Sequence, residues 1–169
     1  MTTRAAAARL SRELRRGGGI WLRQRRRASA LTLGAIGAMA IVSLYQLGLI
    51  RHLPEPPLPG LDADRIDGSS EAYTRFGVPD AVLGVGSYAA TLGLIAMGGA
   101  DRSVRQPWIP LLLAAKAGVD TANAARLTAE QWTRHRAFCT WCLAAAGATF
   151  ATLPLVLGEA RAAWRTVRA

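Results

Sequence analysis

Cysteine is nearly absent from this chain: two occur in 169 residues. That excludes a disulfide scaffold and a complete four-cysteine zinc site. Lysine is scarcer still, Lys116 being the single one, so arginine carries almost all the positive charge. Acidic side chains number 11 against 21 Lys and Arg, which leaves a formal charge of +10 and a pI near 11.3. Taken alone, such a charge fits nucleic acid. The arginines, however, sit mostly in flanks around apolar runs, the pattern of a membrane protein, and no nucleic-acid partner is expected.

What the chain does have is hydrophobicity. Apolar residues make up 51% and the mean hydropathy is +0.17. Ala28–Ile50 is uncharged and long enough to cross a bilayer core of ~30 Å. Gly34 and Gly37-Ala38 offer small surfaces for close helix contact there. Its length, and the lack of a small-residue cleavage site at its end, argue against a cleavable signal peptide. Ala81–Gly98 is a second span, rich in Gly84, Gly86 and Gly93, with Asp80 as its N-cap after Pro79. Pro107–Ala125 is a third. Within it Lys116 and Asp120 are one helical turn apart and can pair, as a proton or substrate path or as a structural pair, with Asn123 extending the polar stripe. Phe138–Gly158 is the fourth.

The segments between the spans are polar. Residues 1–27 form a basic tail in which Arg4, Arg9, Arg12, Arg15 and Arg16 fit one side of a short helix. It sets topology, or anchors on anionic lipid. Residues 51–79 form a long loop whose prolines 54, 56, 57 and 59 exclude a helix at its start. Asp62, Asp64 and Asp67 follow; the rest of a calcium loop is missing, so a solvated loop is expected. Residues 159–169 are a second basic tail. The basic tails and the basic 99–106 link belong in the cytoplasm, and the slightly acidic loop outside. The fold class is therefore all-α: an integral membrane four-helix bundle over 28–158 with both termini cytoplasmic, multi-pass in the cell membrane and surrounded by lipid.

Both cysteines fall in Phe138-Cys139-Thr140-Trp141-Cys142, where a charged segment meets the last apolar run. Thiols three apart are neighbours on a helical turn and can close a disulfide. A helix N-terminus favours the thiolate. This is the chemistry of thiol–disulfide exchange, and the topology puts it on the extracytoplasmic side, where disulfides persist. His135 and Arg136, with Arg134, add nearby positive charge; His135 can also accept a proton. Phe138 and Trp141 can stack on a flat ligand or serve as interface aromatics. A second arrangement is open. His135, Cys139 and Cys142 lie at i, i+4 and i+7, one helix face, and could bind Cu(I) or Zn(II), although no fourth ligand is evident and no metal site is assigned. No histidine follows the motif, so covalent haem is not supported.

With its C-x-x-C opening the last helix and Phe76-Gly77-Val78-Pro79-Asp80-Ala81-Val82-Leu83-Gly84 leading into the second, the chain resembles the vitamin K epoxide reductase family from about Ala28 to Gly158. The resemblance implies a quinone-dependent thiol–disulfide oxidoreductase that supports disulfide formation in extracytoplasmic proteins, with menaquinone or ubiquinone as electron acceptor. It implies Cys139 and Cys142 as catalytic residues. Cys139 would exchange with a relay or partner thiol and Cys142 would face the quinone, with Phe138 and Trp141 as quinone-binding candidates. The family's relay cysteines are missing from residues 51–79, where only Ser69 and Ser70 stand in a comparable region. A thioredoxin-like periplasmic or extracellular partner must then reach Cys139 directly, or the substrate is small, or the exchange is lost. A non-catalytic membrane scaffold and a Cu/Zn-binding membrane protein are the alternatives.

Overall fold

The computed structural model describes residues 3–73 and 76–169. Thr74 and Arg75 of the predicted loop, and Met1 and Thr2 of the tail, lie outside the described residues. The described chain is all-helical. Its long helices are α1 (Thr3–Arg16), α2 (Ile20–Gln46), α4 (Asp80–Ala96), α6 (Trp108–Glu130) and α7 (Thr140–Arg168). Short α3 (Ala63–Asp67) lies in the loop after α2, and α5 (Arg102–Arg105) in the link after α4. By length and composition, α2 and α7 are able to cross a membrane; α4 is apolar but has 17 residues.

The helices overrun the predicted spans because Ala, Arg and Leu favour helix whether or not the segment is apolar. α2 begins at Ile20, so Arg23 to Arg27 are helical. α6 runs to Glu130, and α7 passes through Pro154 and Gly158 to Arg168. At Gly158 an added Cβ would lie 2.8 Å from the Trp21 ring, so glycine here lets α2 approach α7. Gly34 and Gly37, expected at a contact, lie off the packed face: a Cβ on either meets nothing within 4 Å. The packed face of α2 is instead Ala28, Thr32, Ala35, Met39, Val42 and Gln46, spaced three and four apart. It meets α4 and α7, while α6 packs on α7 and α4.

Burial divides the interior into layers. One apolar cluster gathers Ala28, Ile95, Leu113, Ala117 and Val156. The other joins Ala35, Met39, Val42 and Ala145 to Leu53, Ala63 and Ile66 of the loop and to Cys139. Thr32, Tyr88, Thr91, Asp120, Thr149 and Thr152 line a gap of about 10 Å³ between them. The expected Lys116–Asp120 pair is formed there at 2.6 Å, and Thr91 also donates to Asp120. Asn123 turns to Arg126 and does not extend this layer.

The ends of the helix group differ. One holds α1, α5 and the C-terminal turns of α4 and α7. Arg25 donates to the carbonyls of Ile95, Met97, Gly98 and Gly99, and Arg102 to those of Leu94, Ile95 and Met97. Together they satisfy the Leu94 and Ile95 carbonyls in the last turn of α4 and three carbonyls just beyond it. The other end holds the loop, the N-terminus of α4 and both cysteines. There Asp80 is the first residue of α4, not its N-cap; its carboxylate accepts from Gln46 Nε2 at 2.8 Å.

Candidate active site

The route into α7 is built by backbone breaks. After α6 the chain makes one wider, π-type turn over Gln131–His135, and Arg136 then takes a left-handed conformation (φ 52°). The chain leaves extended, and Phe138 pairs with the loop: its N–H donates to Gly60 O at 2.8 Å and its carbonyl accepts from Asp62 N at 3.0 Å. Gly60 (φ 86°) supplies the turn that brings the loop back to this contact. Cys139 follows with extended geometry and caps α7, its sulfur accepting the N–H of Cys142 at 3.2 Å. The N–H of Cys139 donates to the buried Gln131 side chain at 3.0 Å.

Cys142, one turn into α7, is partly buried and, like Val85, Tyr88 and Trp141, packs against the cluster that holds Cys139. Its thiol donates to Asp67 Oδ1 at 3.5 Å. Asp67 closes α3 and is 3% exposed, and its Oδ2 has no hydrogen-bond partner among the described residues. Burial pushes its carboxyl up from 3.8 to about 6; hydrogen bonding to Cys139 opposes the shift, and the charge of Asp80 adds to it. α3 is held in place by Gln46, whose Nε2 donates to Asp67 O at 3.2 Å.

The loop covers Cys139. Trp141 Nε1 donates to Pro54 O at 2.8 Å, and Glu55 accepts from Thr140 Oγ1 at 3.2 Å and from the N–H of Ala63. Leu53, Ala63 and Ile66 of the loop share the buried cluster that holds Cys139, which is at 0% exposure. Two thiols and a carboxylate therefore meet beneath a pinned loop at the start of an apolar helix.

The model of the vitamin K epoxide reductase family matches residues 26–157. The chain belongs to that family. Family membership carries its general chemistry, thiol–disulfide oxidoreduction at a membrane, and the two apolar helices agree with a membrane protein. No curated protein and no solved structure matches the chain. No cysteine lies between residues 51 and 79 of this chain. The loop segment laid against the C-x-x-C brings the Asp67 carboxylate to it.

Other expectations about the site change. His135 does not share a helix face with the cysteines, because the left-handed Arg136 separates it from α7. Its Nε2 meets Glu71 at 3.1 Å, as does Arg134, so the His135–Cys139–Cys142 metal set is not assembled. Asp67 instead converges with the two sulfurs, all within 4.8 Å of one another. Holding a cation there would require deprotonated donors, and it would supply three of the four ligands structural zinc takes. Arg136 lies over the Trp132 ring at 5.7 Å, and Phe138 stacks on that ring at 5.6 Å. The acidic loop is not uniformly solvated. Asp62 caps α3 and Asp64 pairs with His52, but Asp67 is interior. Ala63, Ile66 and Asp67 repeat at i, i+3 and i+4, a stripe too short to set Asp67 apart from its neighbours in the sequence. A concavity of about 430 Å³ beside Leu157 and Trp164 lies roughly 28 Å along α7 from Cys142.

Proposed function

We propose that this protein is a quinone-linked thiol–disulfide oxidoreductase of the cell membrane, supporting disulfide formation in extracytoplasmic proteins. In this reading α2, α4, α6 and α7 span the bilayer, both termini are cytoplasmic, and the cysteine end faces outward. The observation that carries the reading is the placement of the C-x-x-C: Cys139 caps the apolar helix α7 and Cys142 lies one turn into it, partly buried.

A substrate dithiol reduces the Cys139–Cys142 disulfide. One substrate sulfur bonds to Cys139 and releases Cys142, and the second substrate sulfur then displaces Cys139. The substrate leaves as a disulfide and the enzyme pair as a dithiol. A quinone, when bound, supplies the acceptor for the two electrons and two protons that restore the pair. Trp141, adjacent to Cys142 in the chain, and the partly buried Tyr88 suit a flat apolar ring. The interior gap of about 10 Å³ is too small for one, so access is from the lipid side of α7. Because the loop covers Cys139, a thioredoxin-like partner reaches it only when that loop lifts; a small thiol needs a smaller opening.

The test is thiol labelling of the full chain in membranes after mild reduction, with and without ubiquinone or menaquinone. Quinone should abolish labelling at both cysteines in the parent. Cys142→Ser should retain a labelled Cys139 in the presence of quinone, and Cys139→Ser a labelled Cys142. Labelling of the parent that quinone leaves unchanged overturns the proposal.

A further inference from the structure

Asp67 is the buried group that the exchange chemistry above leaves unused. We propose that Asp67 is a catalytic base that takes the thiol proton of Cys142, a role that rests on the redox reading of the C-x-x-C. The geometry supports it directly. Oδ1 is the acceptor of the Cys142 thiol at 3.5 Å, and the side chain is 3% exposed. The second oxygen has no partner among the described residues, so the carboxylate is not consumed by structural hydrogen bonds.

The surroundings exclude an ion-pair role. The groups that face Asp67 are Cys139 and Cys142 on α7, Asp80 on α4, Glu55 on the loop and Tyr45 on α2. Each is neutral or negative. Buried carboxylates are ordinarily paired with a cation, and this one pairs with none among the described residues. Its retention is explained by the sulfur it faces.

The step moves a proton and no electrons. The S–H bond of Cys142 breaks, an O–H bond forms on Asp67, and the pair passes from carboxylate plus thiol to carboxylic acid plus thiolate. Net charge in the pocket does not change. Ionising Cys142 by loss of the proton to solvent would instead set two negative charges side by side in a buried site. A carboxyl titrating at about 6 is ionised at neutral pH yet close enough to it to accept and return a proton.

The test needs no quinone. In a Cys139→Ser background Cys142 is the only cysteine, and the serine hydroxyl keeps an acceptor at the capping position of α7. The rate of its alkylation by iodoacetamide is measured in the full chain from pH 5 to 9. With Asp67 present, the rate should rise through pH 6 and then hold a shoulder, because internal proton transfer sets the thiolate population. Asp67→Asn should remove the shoulder and slow the reaction roughly 100-fold at pH 7. An unchanged profile overturns the proposal. So does a faster variant, the result expected if Asp67 acted only as a repelling charge. Should Asp67→Asn not fold, a profile with no inflection near pH 6 in the Asp67-containing protein overturns it equally. Failure of quinone to oxidise the parent would defeat the redox function and leave this profile to be judged on its own.

Discussion

Asp67 opposes folding at the pH where it serves the thiol. Its carboxyl titrates at about 6 in the folded chain against an ordinary 3.8, so between those values the folded state holds more protons than the unfolded state. Stability from this group is present below about pH 4 and is lost as pH rises through 6, a difference of about 3 kcal/mol. Asp67→Asn should therefore match the parent near pH 4 and exceed it at pH 7.5 by up to about that amount. Thermal unfolding at both values checks this; a variant less stable than the parent at pH 7.5 would make Asp67 a structural residue. The sequence shows the cysteine pair at once, because no other thiols compete with it. It conceals Asp67 among Asp62 and Asp64, which differ from it only in facing solvent or pairing with His52. Which carboxylate is interior depends on how α3 docks, through the bond from Gln46 to the Asp67 carbonyl.

At the level of the helices, apolar runs reveal where the long ones lie but not where they stop. The ends of α4 and α7 are decided by polar contacts distant in sequence. Arg102, at 0% exposure, binds Glu159 through two hydrogen bonds of 2.9 and 2.7 Å and also closes the end of α4. By charge count alone it belongs to a solvated basic link, and Arg25 to a basic flank; the structure places both inside, against backbone carbonyls. Arg102→Leu strands the Glu159 carboxylate and should cost about 3–5 kcal/mol. Adding Glu159→Leu should recover a large part of that loss, because the buried charge goes with its partner. Arg102→Lys should not recover it, since an ammonium cannot span both the carboxylate and the carbonyls of α4. Unfolding of the detergent-solubilised protein checks the series, and equal stability of Arg102→Leu and parent would refute the role assigned to this arginine.

Across the whole molecule, the basic end is locked by guanidinium contacts, and the cysteine end is closed by a loop pinned through side-chain and backbone hydrogen bonds. Glu55 is the chief pin, bonded both to Thr140 on α7 and to Ala63 at the start of α3. Cys139 lies beneath at 0% exposure, so its reaction with any external thiol or label follows the fraction of time the loop is raised. Hydrogen bonds to a charged group contribute about 1.5–3 kcal/mol each. Glu55→Ala should then increase the labelling rate of Cys139 roughly ten- to hundredfold, with Cys142→Ser as background so that a single thiol is read. Far-ultraviolet circular dichroism should show the helices unchanged. The same variant should accelerate exchange with a folded dithiol protein more than exchange with dithiothreitol, because the larger reagent needs the wider opening. Equal acceleration of the two would mean that the loop shields Cys139 without selecting among thiols by size. No acceleration of either would mean that Cys139 is reached by a path that leaves the loop closed.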